Sequence, residues 1–302
     1  MANNPRIGFV GLGLMGHGIA KNLVTKGFPL VVRAHRNRTP LADLLAAGAK
    51  EVASNADLAR QADIVFLCVT GAPQVEEVIA GEQGVLSAAH EGLIVVDTST
   101  SEPAVTARLR DLLAARGARL VDAPLGRTPK EAEEGRLNIM VGADDATFGE
   151  LKPVLSAFCE NIIHVGPPGH GHTIKLLNNF MAMSIATSTA EAMATAVRAG
   201  IPPQKLFDVV SAGPINSGIL QMTAGKMLQG DLTGLQFTLV NAMKDLRYYT
   251  HLAESLPASA IIGEAVHQTL VQANLLGFGD RFISSLFEAQ EKLTGTTIVP
   301  RV

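Results

Sequence analysis

The stretch Ile7-Gly8-Phe9-Val10-Gly11-Leu12-Gly13-Leu14-Met15-Gly16 decides the fold. Four strand-like residues run directly into G-x-G-x-x-G, and Ile19, Leu23 and Val24 then recur at helical spacing. A strand, a glycine turn and a helix in immediate succession is the context in which this motif binds a dinucleotide. The glycines allow a tight turn and close approach of a pyrophosphate. The helix N-terminus supplies unpaired N–H groups and a partial positive charge. Gly11, Leu12, Gly13, Leu14, Met15 and Gly16 are therefore expected on the cofactor. The plainer alternative is a strand–helix turn with no ligand.

Working outward, short apolar runs alternate with helical segments through the first half. The runs are Ile7–Val10, Leu30–Val32, Ile64–Val69, Leu93–Asp97, Arg119–Asp122, Asn138–Val141 and Ile162–Val165. Several are almost continuously apolar, as strands covered on both faces are. Helix starts lie between them: Ser54 with Asp57 three residues on, and Ser101 ahead of Glu102 and Pro103. Alternating strand and helix predicts an α/β fold, a Rossmann-type doubly wound parallel sheet. Val69 and Thr70, closing the run Ile64–Val69, are expected on the cofactor. After Gly166-Pro167-Pro168-Gly169 the rhythm changes. One long helical pattern runs from Thr173 to Ala199 and stops at Gly200 and Pro202. No strand is expected in 205–293. The reading is a dinucleotide-binding domain over 1–165 and an all-helical substrate and dimerisation domain over 166–302.

The second strand selects the cofactor. NAD sites usually carry an acid about 20 residues beyond the glycines, on the ribose 2′-OH. No acidic residue lies between Gly16 and Asp43, and the turn instead reads Arg33-Ala34-His35-Arg36-Asn37-Arg38-Thr39. Arginine suits a 2′-phosphate through forked, charge-assisted bonds. Arg36, Asn37 and Arg38 are therefore expected on NADP, with NAD as the alternative. A solvated basic turn is the bland reading.

Bulk properties narrow the class. The 302 residues suit about two domains of roughly 150 residues each. Net charge of -3 argues against nucleic acid, which needs a basic face. No apolar run of about 18 residues is present, so no membrane span is expected. Two cysteines, Cys68 and Cys159, make no close motif, and a reducing cytoplasm is the expected setting. His164, His170 and His172 cluster without a carboxylate or thiol to complete a metal site, and none is expected. Asn216 and Ser217, in the loop Gly213–Gly218, are candidates to face the substrate.

Taken in order, these pieces resemble the β-hydroxyacid dehydrogenase family. They are Gly8 to Gly16, Asp97-Thr98-Ser99-Thr100, Asp122-Ala123-Pro124, the stretch from Gly169 to Asn179, and Lys244-Asp245-Leu246. The resemblance implies a nicotinamide-dependent enzyme, dimeric or tetrameric, acting on a small aldehyde or hydroxy acid. It implies Lys175 as the catalytic residue, Asn179 and Asn178 on the substrate, Thr100 at the nicotinamide and Lys244 near the cofactor. The residues agree. Lys175 and Asn179 are four apart and share a helix face. A lysine on so apolar a helix is unusual unless it lines a cleft. A snorkelling surface lysine is the alternative. An ammonium there can donate a proton to the carbonyl oxygen that gains charge during hydride transfer.

One segment departs from the family. Ser-Gly-Gly after Asp-x-Pro-x is replaced by Gly126-Arg127-Thr128. This substitution resembles the sulfolactaldehyde reductases and γ-hydroxybutyrate dehydrogenases. An arginine fork and a threonine hydroxyl suit an anionic group on the substrate, so Gly126, Arg127 and Thr128 are expected to bind it. Pairing of Arg127 with Glu131 or Glu133 is the structural alternative.

Overall fold

The computed structural model describes residues 4–35 and 38–301 and divides into two compact units, Met1–Lys175 and Leu176–Val302. The first is a nine-stranded sheet: β1 (Ile7–Val10), β2 (Leu30–Arg33), β3 (Lys50–Glu51), β4 (Ile64–Leu67), β5 (Ile94–Asp97), β6 (Arg119–Asp122), β7 (Leu125–Gly126), β8 (Leu137–Gly142) and β9 (Cys159–Gly166). Its order is β3-β2-β1-β4-β5-β6-β8-β7, with β9 on β8. Strands β1 to β6 pair parallel, and β8 runs antiparallel to β6 and β7. The sheet is thus parallel-dominated rather than wholly parallel. The change falls between β6 and β8, where the chain passes through the short strand β7 and a six-residue helix and returns antiparallel to both strands.

Helices of this unit are α1 (Gly16–Thr25), α2 (Leu41–Ala46), α3 (Asn55–Gln61), α4 (Ala72–Ala80), α5 (Pro103–Ala114), α6 (Pro129–Glu134) and α7 (Asp145–Leu155). Side-chain alternation along the strands feeds two cores. Phe9, Ile64, Phe66, Ile94 and Val96 enter one. Val10, Val65, Leu67 and Val95 enter the other. Period-two alternation with both faces apolar makes these runs continuously hydrophobic. Phe66 joins Phe9 and Phe158, with ring centroids 6.3 and 5.7 Å away. Ser54 caps α3 by accepting the Asp57 N–H at 3.0 Å, as its sequence signature requires. For α5 the cap falls on Glu102 rather than Ser101, because Pro103 takes the first helical position.

Helix α6 lies tightly on α1. A Cβ at Gly18 would sit 2.5 Å from the Ala132 backbone, so only glycine admits this approach. Asn22 then donates to the carbonyls of Ala132 and Glu133 at 3.1 and 3.2 Å. His17 ties three helices together: Nδ1 lies 2.6 Å from Glu133 and Nε2 2.8 Å from Asp43.

Helix α8 (His170–Arg198) opens in the first unit and continues into the second. Gly200, at φ 78°, follows its end. The second unit holds α9 (Pro203–Ala212), α10 (Gly218–Leu220), α11 (Leu239–Ser255), α12 (Ile261–Ala273) and α13 (Leu286–Thr294). Its core joins Met183, Ala186 and Met193 to Leu246, Leu270 and Phe287. Among the described residues it contains no strand, only an isolated bridge between Thr238 and Phe282. No described helix is long and apolar enough to cross a membrane.

A pH-dependent contribution to stability follows from His17. Burial alone lowers its affinity for a proton, but the hydrogen bonds and charges of Glu133 and Asp43 outweigh burial and raise its pKa above the ordinary 6.5. With a carboxylate at each ring nitrogen, only imidazolium donates to both. The contribution is complete below pH about 6.5 and is lost as pH rises through the elevated folded value. Replacing His17 with Gln is expected to cost about 1 kcal/mol at pH 6, or about 2–4 °C in Tm. The gap from wild type should narrow steadily as pH rises above 6.5 and through the elevated folded value. Thermal unfolding across that range measures it, and a pH-independent gap would remove His17 from the account.

Candidate active site

The carboxyl ends of β1, β4, β5 and β6 bring together most of the expected residues of the first unit. Strand order reverses between β1 and β4, the position at which doubly wound sheets bind their ligands. Gly11 turns the chain there at φ 100°, and a Cβ would meet the Cys68 carbonyl at 2.1 Å. A Cβ at Gly16 would lie 1.9 Å from the Gly11 carbonyl. Gly13 differs, because a Cβ there would meet no protein atom within 4 Å. Two glycines are thus demanded by the protein, and the third keeps an open cradle above the start of α1. Met15, at the N-cap, provides no side-chain cap. The helix-start N–H groups therefore suit a pyrophosphate, and the residues fit a nicotinamide dinucleotide. Leu14 is 78% exposed beside that cradle.

Neighbouring loops are fixed to one another. Val69 N–H donates to the Ser99 hydroxyl at 3.0 Å, and Thr98 Oγ1 to the Leu67 carbonyl at 2.6 Å. This ties the loop that carries Val69 and Thr70 to the loop that carries Thr100. Burial pushes the Cys68 thiol up to about 11, so it stays neutral, a small apolar group rather than a nucleophile.

The basic turn is only partly described, because Arg36 and Asn37 lie outside the described residues. Arg38 forks onto the Glu51 carboxylate with two bonds of 2.8 Å. Glu51 pairs across the sheet with Val32 near the end of β2. Its position in sequence, beyond Asp43, concealed this partner.

Expected anion-binding residues have internal partners too. Arg127, at φ 76°, takes the left-handed backbone that glycine takes freely, in the segment where the family has Ser-Gly-Gly. Its Nη1 donates to Glu160 and to the Arg136 carbonyl. The alternative of pairing with Glu131 or Glu133 therefore gives way to Glu160, on a strand distant in sequence. Thr128 is the N-cap of α6, and the Glu131 carboxylate accepts from its N–H at 3.0 Å and its hydroxyl at 2.5 Å. Gly126 lies in β7, paired with Asn138.

Helix α8 carries Lys175 and Asn179 one turn apart. Its first turn is held by Asp122, whose two oxygens accept the N–H groups of Gly169 at 2.6 Å and His172 at 2.8 Å. In the second unit, buried Asn179 donates to Asp245 Oδ2 at 2.6 Å. Lys244 Nζ lies 2.8 Å from Asp245 Oδ1 and 5.0 Å from the Tyr248 ring centroid. Asn178 is exposed and donates to Asn179 Oδ1 at 3.2 Å. Sequence reasoning assigned no role to Asp245. Its only signal was its place beside Lys244 in Lys244-Asp245-Leu246, and it proves 2% exposed. Asn216 and Ser217 are used locally: Ser217 caps α10, and Asn216 accepts from Gln221 at 2.9 Å. Among the described residues no group of three or more His, Cys, Asp or Glu is placed to hold a metal.

Comparison with known proteins gives the same picture. Residues 6–166 match the NAD binding domain of 6-phosphogluconate dehydrogenase, and 169–288 match the family described as NAD-binding of NADP-dependent 3-hydroxyisobutyrate dehydrogenase. The chain is 32% identical to 2-(hydroxymethyl)glutarate dehydrogenase of Eubacterium barkeri, over 99% of both chains. It is 34% identical to 2-hydroxy-3-oxopropionate reductase of Escherichia coli, over 83% of this chain and 85% of that one. The crystal structure of 3-hydroxyisobutyrate dehydrogenase from Salmonella typhimurium superposes with a TM-score of 0.81 at 30% identity, covering 94% of this chain and 99% of that one. With its glycine loop, its lysine-bearing helix and both domain matches, the chain belongs to the β-hydroxyacid dehydrogenase family, whose members are NAD(P)-dependent oxidoreductases.

Proposed function

We propose that this enzyme interconverts a small anionic aldehyde and its alcohol, with 3-sulfolactaldehyde as the first candidate and succinic semialdehyde as the second. The observation that carries the reading is Lys175, five residues into a helix capped by a buried carboxylate and one turn before buried Asn179. The bound nicotinamide supplies or accepts the hydride. Lys175 Nζ donates a proton to the carbonyl oxygen as charge develops there, and in the reverse direction neutral Lys175 accepts it. Asn179, oriented by Asp245, presents its amide to the substrate, with Asn178 beside it. Thr100 lies at the nicotinamide, and Lys244 attends the cofactor.

The charged end of the substrate falls to Arg127. Among the described residues both of its bonds use Nη1, so Nε and Nη2 keep donors for an incoming anion. Thr128 is committed to Glu131, and an anion reaching it must displace that carboxylate. NADP is the preferred cofactor on this reading. The basic turn Arg36-Asn37-Arg38 is assigned to its 2′-phosphate, for which Arg38 would exchange the Glu51 carboxylate. Glu51, held in the Arg38 fork, is no free acceptor for a 2′-OH. A second reading, a substrate of the 3-hydroxyisobutyrate or 2-hydroxy-3-oxopropionate type, is favoured by the names of the relatives. The missing Ser-Gly-Gly speaks against it.

A panel of sulfonated, carboxylated and neutral aldehydes, run with NADPH and NADH, tests the reading directly. Lys175→Ala is expected to lose about 10²–10⁴ in kcat while still binding cofactor. Near wild-type kcat in that variant would end the proposed mechanism. Arg127→Ala should lower kcat/KM for the anionic aldehyde about 10- to 100-fold and spare a neutral one. Equal losses would assign Arg127 to the fold through Glu160.

The glycine loop makes a separate prediction, on binding alone. Gly13→Val should leave Tm within about 1 °C, since a Cβ there meets no protein atom within 4 Å, yet weaken dinucleotide binding at least about tenfold. Gly16→Ala should lower both Tm and affinity. Fluorescence titration with NADPH and thermal unfolding measure the pair, and undiminished affinity in Gly13→Val would place the pyrophosphate elsewhere.

A further inference from the structure

Two aspartates end adjacent strands, Asp97 on β5 and Asp122 on β6, and both are buried, at 1% and 0% exposure. Asp97 Oδ1 accepts the Ser99 N–H at 2.9 Å. Both Asp122 oxygens are taken by the first turn of α8. Between these carboxylates lies the imidazole of His172, itself 0% exposed. Its Nδ1 is 2.8 Å from Thr106 Oγ1. The Thr106 hydroxyl donates to the Glu102 carbonyl at 3.2 Å, so the hydrogen of the Thr106–His172 bond belongs to Nδ1. The other nitrogen, Nε2, has no hydrogen-bond partner among the described residues and faces Asp97 Oδ2 at 3.7 Å. Without a proton in that gap, a lone pair would oppose a buried carboxylate. With one, the contact becomes an attraction between buried opposite charges.

We propose that His172 is a positioning residue for Lys175, holding a proton toward Asp97 and so mooring the first turn of α8 to the ends of β5 and β6. The inference rests on the reading of Lys175 as the proton donor. Lys175 follows His172 by three residues on the same helix, so the turn that His172 and Asp122 secure is the one from which Lys175 projects. The proton on His172 also offsets one of two buried negative charges near that turn. Burial raises the Asp122 pKa, opposed by the His172 charge and by the N–H groups of Gly169 and His172. The Thr106 hydroxyl on α5 meets the imidazole directly, and the Cys68 thiol after β4 lies on the Asp97 side and stays neutral. His172 touches no reacting atom. It fixes where the ammonium stands and moderates the field in which it gives up its proton.

His172→Asn keeps a donor in the place of Nδ1 and deletes Nε2. Expected results are a roughly tenfold fall in kcat, a cofactor Kd unchanged within about twofold, and a rise of about 0.5–1 pH unit in the alkaline limb of kcat/KM for aldehyde reduction. The limb moves because the replacement removes the imidazole proton from the turn that carries Lys175 while Asp97 and Asp122 stay in place. A structural role alone would lower stability without moving that limb. Nitrogen-15 imidazole NMR of the wild-type protein at pH 7 provides a measurement independent of any variant: both His172 nitrogens should carry hydrogen. A neutral imidazole, or an unmoved pH profile in a folded His172→Asn enzyme, overturns the inference. If Lys175→Ala stays active, the catalytic reading fails instead, and the NMR result still decides whether the proton is present.

Discussion

The Asp122 carboxylate is the hinge of the design. It ends a central strand, is wholly buried, and accepts two N–H groups from the start of a 29-residue helix. A buried carboxylate is costly unless its oxygens are satisfied, and a helix start leaves N–H groups without partners. Each requirement meets the other. The pairing demands glycine on both sides. A Cβ at Gly142 would lie 2.6 Å from Asp122 Oδ1, and one at Gly171 2.4 Å from the Asp122 carbonyl. The placement of the first turn of α8, and with it the backbone position of Lys175, follows from this contact.

A second theme is that donors suited to bound anions already hold internal ones. Arg38 grips Glu51, Arg127 grips Glu160, and Thr128 is closed by Glu131. These carboxylates keep the donors ordered, and a ligand anion has to improve on them. Among the described residues both bonds of Arg127 use Nη1, so its Nε and Nη2 stay on the side away from Glu160 as a separate pair of donors. Its left-handed backbone, rare for a residue with a Cβ, shows that the segment keeps the conformation natural to glycine while carrying a charged side chain.

The strands, the glycine loop and the long helix could be read directly because each has a local cause. Period-two burial, the turn conformation of Gly11 and the stop at Gly200 depend on residues close in sequence. The antiparallel β8 could not be read this way. Its direction depends on how closely α6 packs on α1, which Gly18 permits and Asn22 secures from more than a hundred residues away. Likewise Asp245 gave no sign of its partner Asn179, which lies 66 positions distant.

By itself, then, the sequence determined the alternating first half, the helical second half, the glycine loop and the long helix that carries Lys175. All of these arise from patterns within one or two elements. Only the tertiary structure decided which polar and charged groups meet. Glu51 for Arg38, Glu160 for Arg127, Asp97 for His172 and Asp245 for Asn179 are pairings between elements. A charge in a sequence has no fixed partner until folding brings one within a few ångströms and removes the water that would otherwise screen it.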